Sequence, residues 1–174
     1  REIPGGIIRA EHARWFVIVN CILFIGVCWF INPICFYLSP VALAVVLGYS
    51  YTKRFTSLCH FILGLGLSLA PIGAWLAVTG TFSSLPVYFS LVVLFWVSGF
   101  DMIYELQDEE FDKGKGLHSI PVALGKKGAL RLSEFLHLLT AGLVFYIGYV
   151  GEFEIWFWIG ACLLLAYYPT STPW

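Results

Sequence analysis

Residues 87–119 read VYFSLVVLFWVSGFDMIYELQDEEFDKGKGLHS. The first part, Val87–Gln107, is an apolar run close to the ~20 residues that a helix needs to cross a bilayer core. Backbone groups in lipid must be satisfied within the segment, so the run predicts a helix. It leaves the apolar stretch carrying Asp101, Tyr104, Glu105, Asp108, Glu109, Glu110 and Asp112. On a helix that advances about 100° per residue, Asp101, Asp108 and Asp112 fall at 0°, about −20° and about +20°. Tyr104 and Glu105 lie beside this stripe, Glu110 roughly opposite and Glu109 to one side. At least Asp101 is still at membrane depth.

Outward from this run, apolar segments recur at Trp15–Ile31, Ile34–Tyr51, Leu58–Thr79, Leu132–Val150 and Phe153–Tyr168. The chain of 174 residues is 59% hydrophobic and 12% charged. Soluble domains are about 45–50% apolar and roughly 25% charged. The predicted fold class is therefore all-α: a polytopic membrane helical bundle with six transmembrane helices, taken as one domain over residues 1–174. A net charge of −1 gives no reason to expect nucleic acid as a partner. The five cysteines lie in apolar runs without metal-ligand spacing and read as small buried hydrophobes.

The linkers Asn32–Pro33, Gly80–Pro86 and Gly151–Glu152 contain no Lys or Arg. All ten basic residues fall in the remaining linkers and the N-terminal stretch: Arg1, Arg9, Arg14, Lys53, Arg54, Lys113, Lys115, Lys126, Lys127 and Arg131. Six crossings put these stretches on one side of the membrane, and the positive-inside rule makes that side cytoplasmic. Trp15, Trp29 and Trp156 stand near segment ends, where interfacial anchors belong. The opening REIPGGIIRAEHAR reads as a connector between helices, without a signal peptide, and part of a longer protein is expected. In the third segment, LGLGLSLAPIGAWLAVTG holds Gly64, Gly66, Pro71 and Gly73. That composition serves either close helix packing or a bend that shapes a cavity.

An acidic cluster at a helix C-terminus opposes the macrodipole by ~0.3–1 kcal/mol per charge, and Asp108 and Asp112 repel as like charges one turn apart. A divalent cation such as Mg²⁺ would remove both penalties, sharing its shell between carboxylates, substrate phosphates and water. The plainer alternative is a solvated helix end whose acids pair with Lys113 and Lys115. Asp101 and Tyr104 extend the stripe into apolar sequence, and an intramembrane ionisable residue marks function by default. Lys53 and Arg54 of YTKRFT, with Lys113, Lys115 and Arg1, are candidates to hold a diphosphate, although each, taken singly, reads first as a topology determinant. His118 reads as a ligand or phosphate donor, or as a plain loop histidine. His12, His60 and His137 show no partner pattern and receive no role. Metal, diphosphate and a greasy interior point to an allylic diphosphate substrate, whose carbocation aromatic rings would stabilise.

DMIYELQDEEFD resembles the second aspartate-rich motif, D-x-x-Y-x-x-x-D-x-x-x-D, of the UbiA superfamily of membrane-embedded aromatic prenyltransferases. KGKGLHSIPVALG resembles that family's following loop, YTKRFT its basic loop, LGLGLSLAPIGAWLAVTG its glycine-proline helix, and REIPGG the R-P-x-P-S-G segment after its first aspartate-rich motif. The likeness covers most of the chain and is nearest to 4-hydroxybenzoate polyprenyltransferases and their relatives in menaquinone synthesis.

The resemblance implies Mg²⁺-dependent transfer of a polyprenyl group from an allylic diphosphate to an aromatic acid, 4-hydroxybenzoate or a related hydroxynaphthoate. It implies nine helices around a cavity open to lipid, in the bacterial cytoplasmic membrane, with the active site on the cytoplasmic side. By motif position, Asp108 and Asp112 would bind Mg²⁺, and Lys53, Arg54, Lys113 and His118 the diphosphate. Asp101 and Tyr104 would be catalytic, in acceptor orientation, ring deprotonation or carbocation stabilisation. The first motif, N-D-x-x-D-x-x-x-D, is absent, and the tail YYPTSTPW does not resemble a ninth helix. Two helices before Arg1 and one after the sixth are therefore expected elsewhere, and these residues alone are expected to be inactive. The competing expectations are a transporter or cation-conducting subunit with an Asp-lined path, and a non-catalytic membrane subunit.

Overall fold

A computed structural model describes residues 9–167, so Arg1, the REIPGG segment and the tail beyond Tyr167 lie outside the described residues. The described chain is all helical: α1 (Ala10–Ile31), α2 (Pro33–Thr52), α3 (Cys59–Thr79), α4 (Ser84–Glu105), α5 (Glu109–Lys115), α6 (Ile120–Val150) and α7 (Ile155–Tyr167). The sequence itself punctuates them. Asn32 caps α2, its Oδ1 accepting from Cys35 N–H at 2.9 Å, with Pro33 opening the helix. Asn32 Nδ2 also donates to Leu76 O at 2.7 Å, pinning the α1–α2 turn to the end of α3.

Successive long helices pack on one another, α4 making the most extensive contacts through α3 and α6. The α1–α2, α3–α4 and α6–α7 connections share one end, where Tyr88 meets Tyr146 and Phe89 meets Phe153 edge to face. The basic linkers meet at the other, where His118 N–H donates to Lys53 O at 2.8 Å.

The burial pattern is inverted relative to a soluble domain. Phe16, Phe30, Val78, Tyr149 and Trp156 are exposed, while Ser39, Ser68, Ser98, Ser133 and Thr140 are buried. Small polar residues at helix contacts and large apolar ones outside are what lipid selects. The buried hydroxyls are satisfied either along their own helix, as Thr140 Oγ1 to Leu136 O (2.9 Å), or across helices, as Ser133 Oγ to Gly99 O (2.7 Å). α1, α3, α4 and α6 are long and apolar enough to cross a membrane, whereas the apolar stretches Pro33–Tyr49 and Ile155–Leu164 are shorter. The six-helix reading of the sequence is approximate in that respect.

Most helix ends shift by a few residues from expectation, and two features differ by more. α6 begins at Ile120, well before the predicted Leu132. Ser119 Oγ caps it by accepting from Val122 N–H at 3.4 Å, and Pro121 stands in its first turn. Gly125, at φ 69° and ψ 170°, divides this entry turn from the long span, a backbone conformation that a side chain would strain. The other difference, the short α5, falls within the site.

Gly64 sets the spacing of α3 and α4. A Cβ there would stand 2.4 Å from Ser98 Oγ and 2.7 Å from Leu94 O, and a backbone carbonyl does not yield cheaply. Gly64→Ala is expected to destabilise the protein by about 1–3 kcal/mol through overpacking. Thermal unfolding in detergent checks this; an unchanged midpoint would mean that the two helices separate freely.

Candidate active site

The helix bearing the acidic residues does not run through to Asp112. Beyond Glu105, the amides of Leu106 and Gln107 donate to Ile103 O and Tyr104 O (both 3.3 Å), and that of Asp108 to Glu105 O (3.0 Å). This is the three-residue pattern of a tightened turn. Asp108, at φ −101° and ψ 3°, then redirects the chain into α5, which stops at Gly116. The expected single stripe of Asp101, Asp108 and Asp112 is therefore broken: Asp101 stays on α4, while the other two ride on a separate element. Within α5, Asp112 N–H donates to Asp108 O at 2.9 Å, so the two aspartates remain one turn apart, Asp108 exposed and Asp112 buried.

The electrostatics change with the geometry. Glu109, Glu110 and Asp112 occupy the first turn of α5, and Lys113 and Lys115 its last, an order that suits the helix dipole. Only Glu105, at the end of α4, meets the penalty expected for the whole cluster. Lys53 offsets it.

Lys53 follows α2 and lies between two acids. Its Nζ is paired with Glu105 and stands 3.3 Å from Asp112 Oδ2. The side chains of Lys53, Glu105 and Asp112 are 26%, 8% and 3% exposed. Burial pulls the Lys53 ammonium down, but its hydrogen bonds and charge contacts with Glu105 and Asp112 outweigh this and hold it above the usual lysine value. One ammonium faces two carboxylates, so one formal negative charge is unbalanced in a poorly hydrated place.

Further in along α4, Ser98, Asp101 and Glu105 share a face at i, i+3 and i+7 spacing. Ser98 Oγ donates to His60 O (3.2 Å), and Asp101 Oδ2 lies 2.8 Å from His60 Nδ1. Gly64 permits this approach of α4 to α3, so it also sets the Asp101–His60 contact. A compact core of Met102, Ile120, Ala129 and Leu136 fills the space among α4 and α6.

The remaining candidates sit at the same end. Arg54 is exposed, its guanidinium 5.7 Å from the centre of the Tyr51 ring. Lys113 Nζ donates to Glu109 at 2.6 Å, an exposed pair of the kind expected for a solvated helix end. His118 exposes its side chain. Tyr104, one turn along α4 from Asp101, is 60% exposed. The structure thus gathers Lys53 with Asp112, and leaves Asp108, Arg54, Lys113 and His118 around them on the open side.

Sequence reasoning missed two members, Glu105 and His60. Glu105 stood one turn beyond Asp101, a signal for a shared face. His60 was readable as a lone ionisable residue in apolar sequence, but its partner is 41 residues away.

Among the described residues, no group of three or more His, Cys, Asp or Glu is arranged to hold a metal ion. The donors present nevertheless fit Mg²⁺: hard carboxylate oxygens with an uncompensated charge suit an ion that uses one or two carboxylates and fills its shell with phosphate and water.

The profile of the UbiA prenyltransferase family matches residues 1–170. A 4-hydroxybenzoate octaprenyltransferase from Francisella tularensis subsp. novicida is 30% identical over 167 residues, 94% of this chain and 57% of the relative. A 4-hydroxybenzoate solanesyltransferase from Synechocystis is 26% identical over 153 residues, 85% of this chain and 52% of the relative. The chain therefore spans about half the length of the curated relatives it matches. A solved structure described as the apo form of a UbiA homologue from Aeropyrum pernix superposes with a TM-score of 0.84 at 28% identity. That superposition covers 91% of this chain and 60% of the homologue.

Proposed function

Because the chain belongs to the UbiA prenyltransferase family and is an integral membrane protein, we propose that the protein carrying it prenylates an aromatic acid. The donor is a polyprenyl diphosphate and the acceptor 4-hydroxybenzoate or a related hydroxynaphthoate, in quinone biosynthesis. The observation that carries this reading is the convergence of Lys53 and Asp112 at one end of the bundle, with Asp101 further in along α4.

The reaction breaks the allylic C–O bond, whose electrons leave with the diphosphate. A ring carbon of the acceptor bonds to the allylic carbon, and the ring then releases its proton. Lys53, Arg54, Lys113 and His118 hold the departing diphosphate; the exposed Lys113–Glu109 pair is weak enough to yield. Asp108 and Asp112 would hold Mg²⁺, which when bound would supply Lewis-acid neutralisation of the diphosphate. Asp101 and Tyr104 serve the reacting ring and cation. The membrane is a bacterial inner membrane with this end on its cytoplasmic side, a reading that the positive charge of the basic linkers supports.

The full-length protein in membranes, offered a polyprenyl diphosphate with 4-hydroxybenzoate or a hydroxynaphthoate, is expected to yield a prenylated aromatic acid by chromatography. Ion flux without any prenylated product from either acceptor would overturn the reading in favour of a conducting subunit.

A further inference from the structure

We infer that His60 is the positioning residue for Asp101, gripping one carboxylate oxygen through its Nδ1–H and leaving the other to face the reacting ring. This rests on the prenyl-transfer reading and adds a residue to it. His60 is fully buried in the first turn of α3. Its two ring nitrogens have different partners. Nε2 stands 3.3 Å from the amide of Ile120, which opens α6. An N–H can only donate, and the first amides of a helix have no intrahelical acceptor, so Nε2 accepts here. The proton of a neutral imidazole then belongs to Nδ1, which donates to Asp101 Oδ2 at 2.8 Å. The fold selects the tautomer.

The ring has little freedom to leave this position. Ser98 Oγ donates to the His60 carbonyl at 3.2 Å, tying the backbone of the histidine to the helix that carries Asp101. α3, α4 and α6 thus meet on one side chain. Asp101 is the only one of the three contacts that retains access, its side chain being 17% exposed. Among the described residues its Oδ1 has no hydrogen-bond partner. A carboxylate held at one oxygen by a buried donor keeps a defined direction for the other, which a base or cation stabiliser requires.

Three replacements in the full-length protein separate positioning from packing. Asn places an amide near Nδ1, Gln places one near Nε2, and Leu keeps volume without donors. His60→Leu is expected to lower kcat on the order of 10–100-fold, with KM for the polyprenyl diphosphate nearly unchanged. His60→Asn is expected to recover most of that loss and His60→Gln little of it. In an Asp101→Asn background, His60→Leu should add no further loss, because the two residues act as one unit. Ring ¹⁵N NMR of the wild-type protein should show His60 protonated at Nδ1 alone. Equal losses in the Asn, Gln and Leu variants, or losses that follow thermal stability, overturn the positioning role. So does an Nε2-protonated ring. Wild-type protein that transfers no prenyl group overturns the reaction itself, and the purpose of the contact with it.

Discussion

Asp112→Asn in the full-length protein is expected to abolish most turnover while leaving the fold as stable as before, or more so. The two effects part company because Lys53 now serves two nearly buried carboxylates. Removing one charge leaves Lys53 and Glu105 as a balanced pair, and the amide of Asn can still meet its neighbours. Unbalanced buried charge costs several kcal/mol, so relieving it does not weaken the native state. If Asp112 holds Mg²⁺ as proposed, activity has no such compensation, since an amide is a poor ligand for that ion and the loss is expected to be on the order of 10²–10³-fold. Asp108→Asn should lower turnover similarly and leave stability alone, because that side chain is exposed. Product chromatography and thermal unfolding in detergent read the two quantities separately. An Asp112→Asn protein that turns over normally would remove the metal-binding role, and one that unfolds early would remove the charge argument.

Lys53→Met is expected to damage both quantities at once. It strands Glu105 and Asp112 together without a counterion; breaking a buried pair costs about 3–5 kcal/mol, here nearer 2 because Lys53 is 26% exposed. It also removes a cation that the proposed function assigns to the diphosphate, with an expected fall in kcat/KM on the order of 10²-fold or more. The double variant Lys53→Met/Glu105→Gln separates the terms. It should recover part of the lost stability, because only one carboxylate then remains, and none of the lost turnover. If the double variant regains activity in step with stability, Lys53 is a structural counterion and nothing more.

The aspartate-rich stretch shows where legibility ended. Its residue types, its apolar lead-in and its closeness to YTKRFT were all in the sequence, and so was the end of the bundle they share. A helical wheel, however, assumes that the helix continues. The tightened turn at Leu106–Asp108 breaks it, turning Asp112 inward and Asp108 outward. The expected dipole conflict dissolves with it, because most of the acids begin α5 rather than end α4.

What the sequence alone determined was set by solvent and covalent chemistry. Apolar runs near the length of a bilayer core must be helices, and basic residues confined to alternate linkers must gather at one end. Asn32–Pro33 and Ser119 through Pro121 marked helix starts by local hydrogen bonding. What only the tertiary structure decided were partnerships between distant residues. Lys53 chooses Glu105 and Asp112, and His60 chooses Asp101 and the amide of Ile120, because Gly64 lets α4 come close enough to α3. Such pairings depend on how helices cross and how near they approach, which side chains far apart in sequence settle jointly. No periodicity within one segment contains that information.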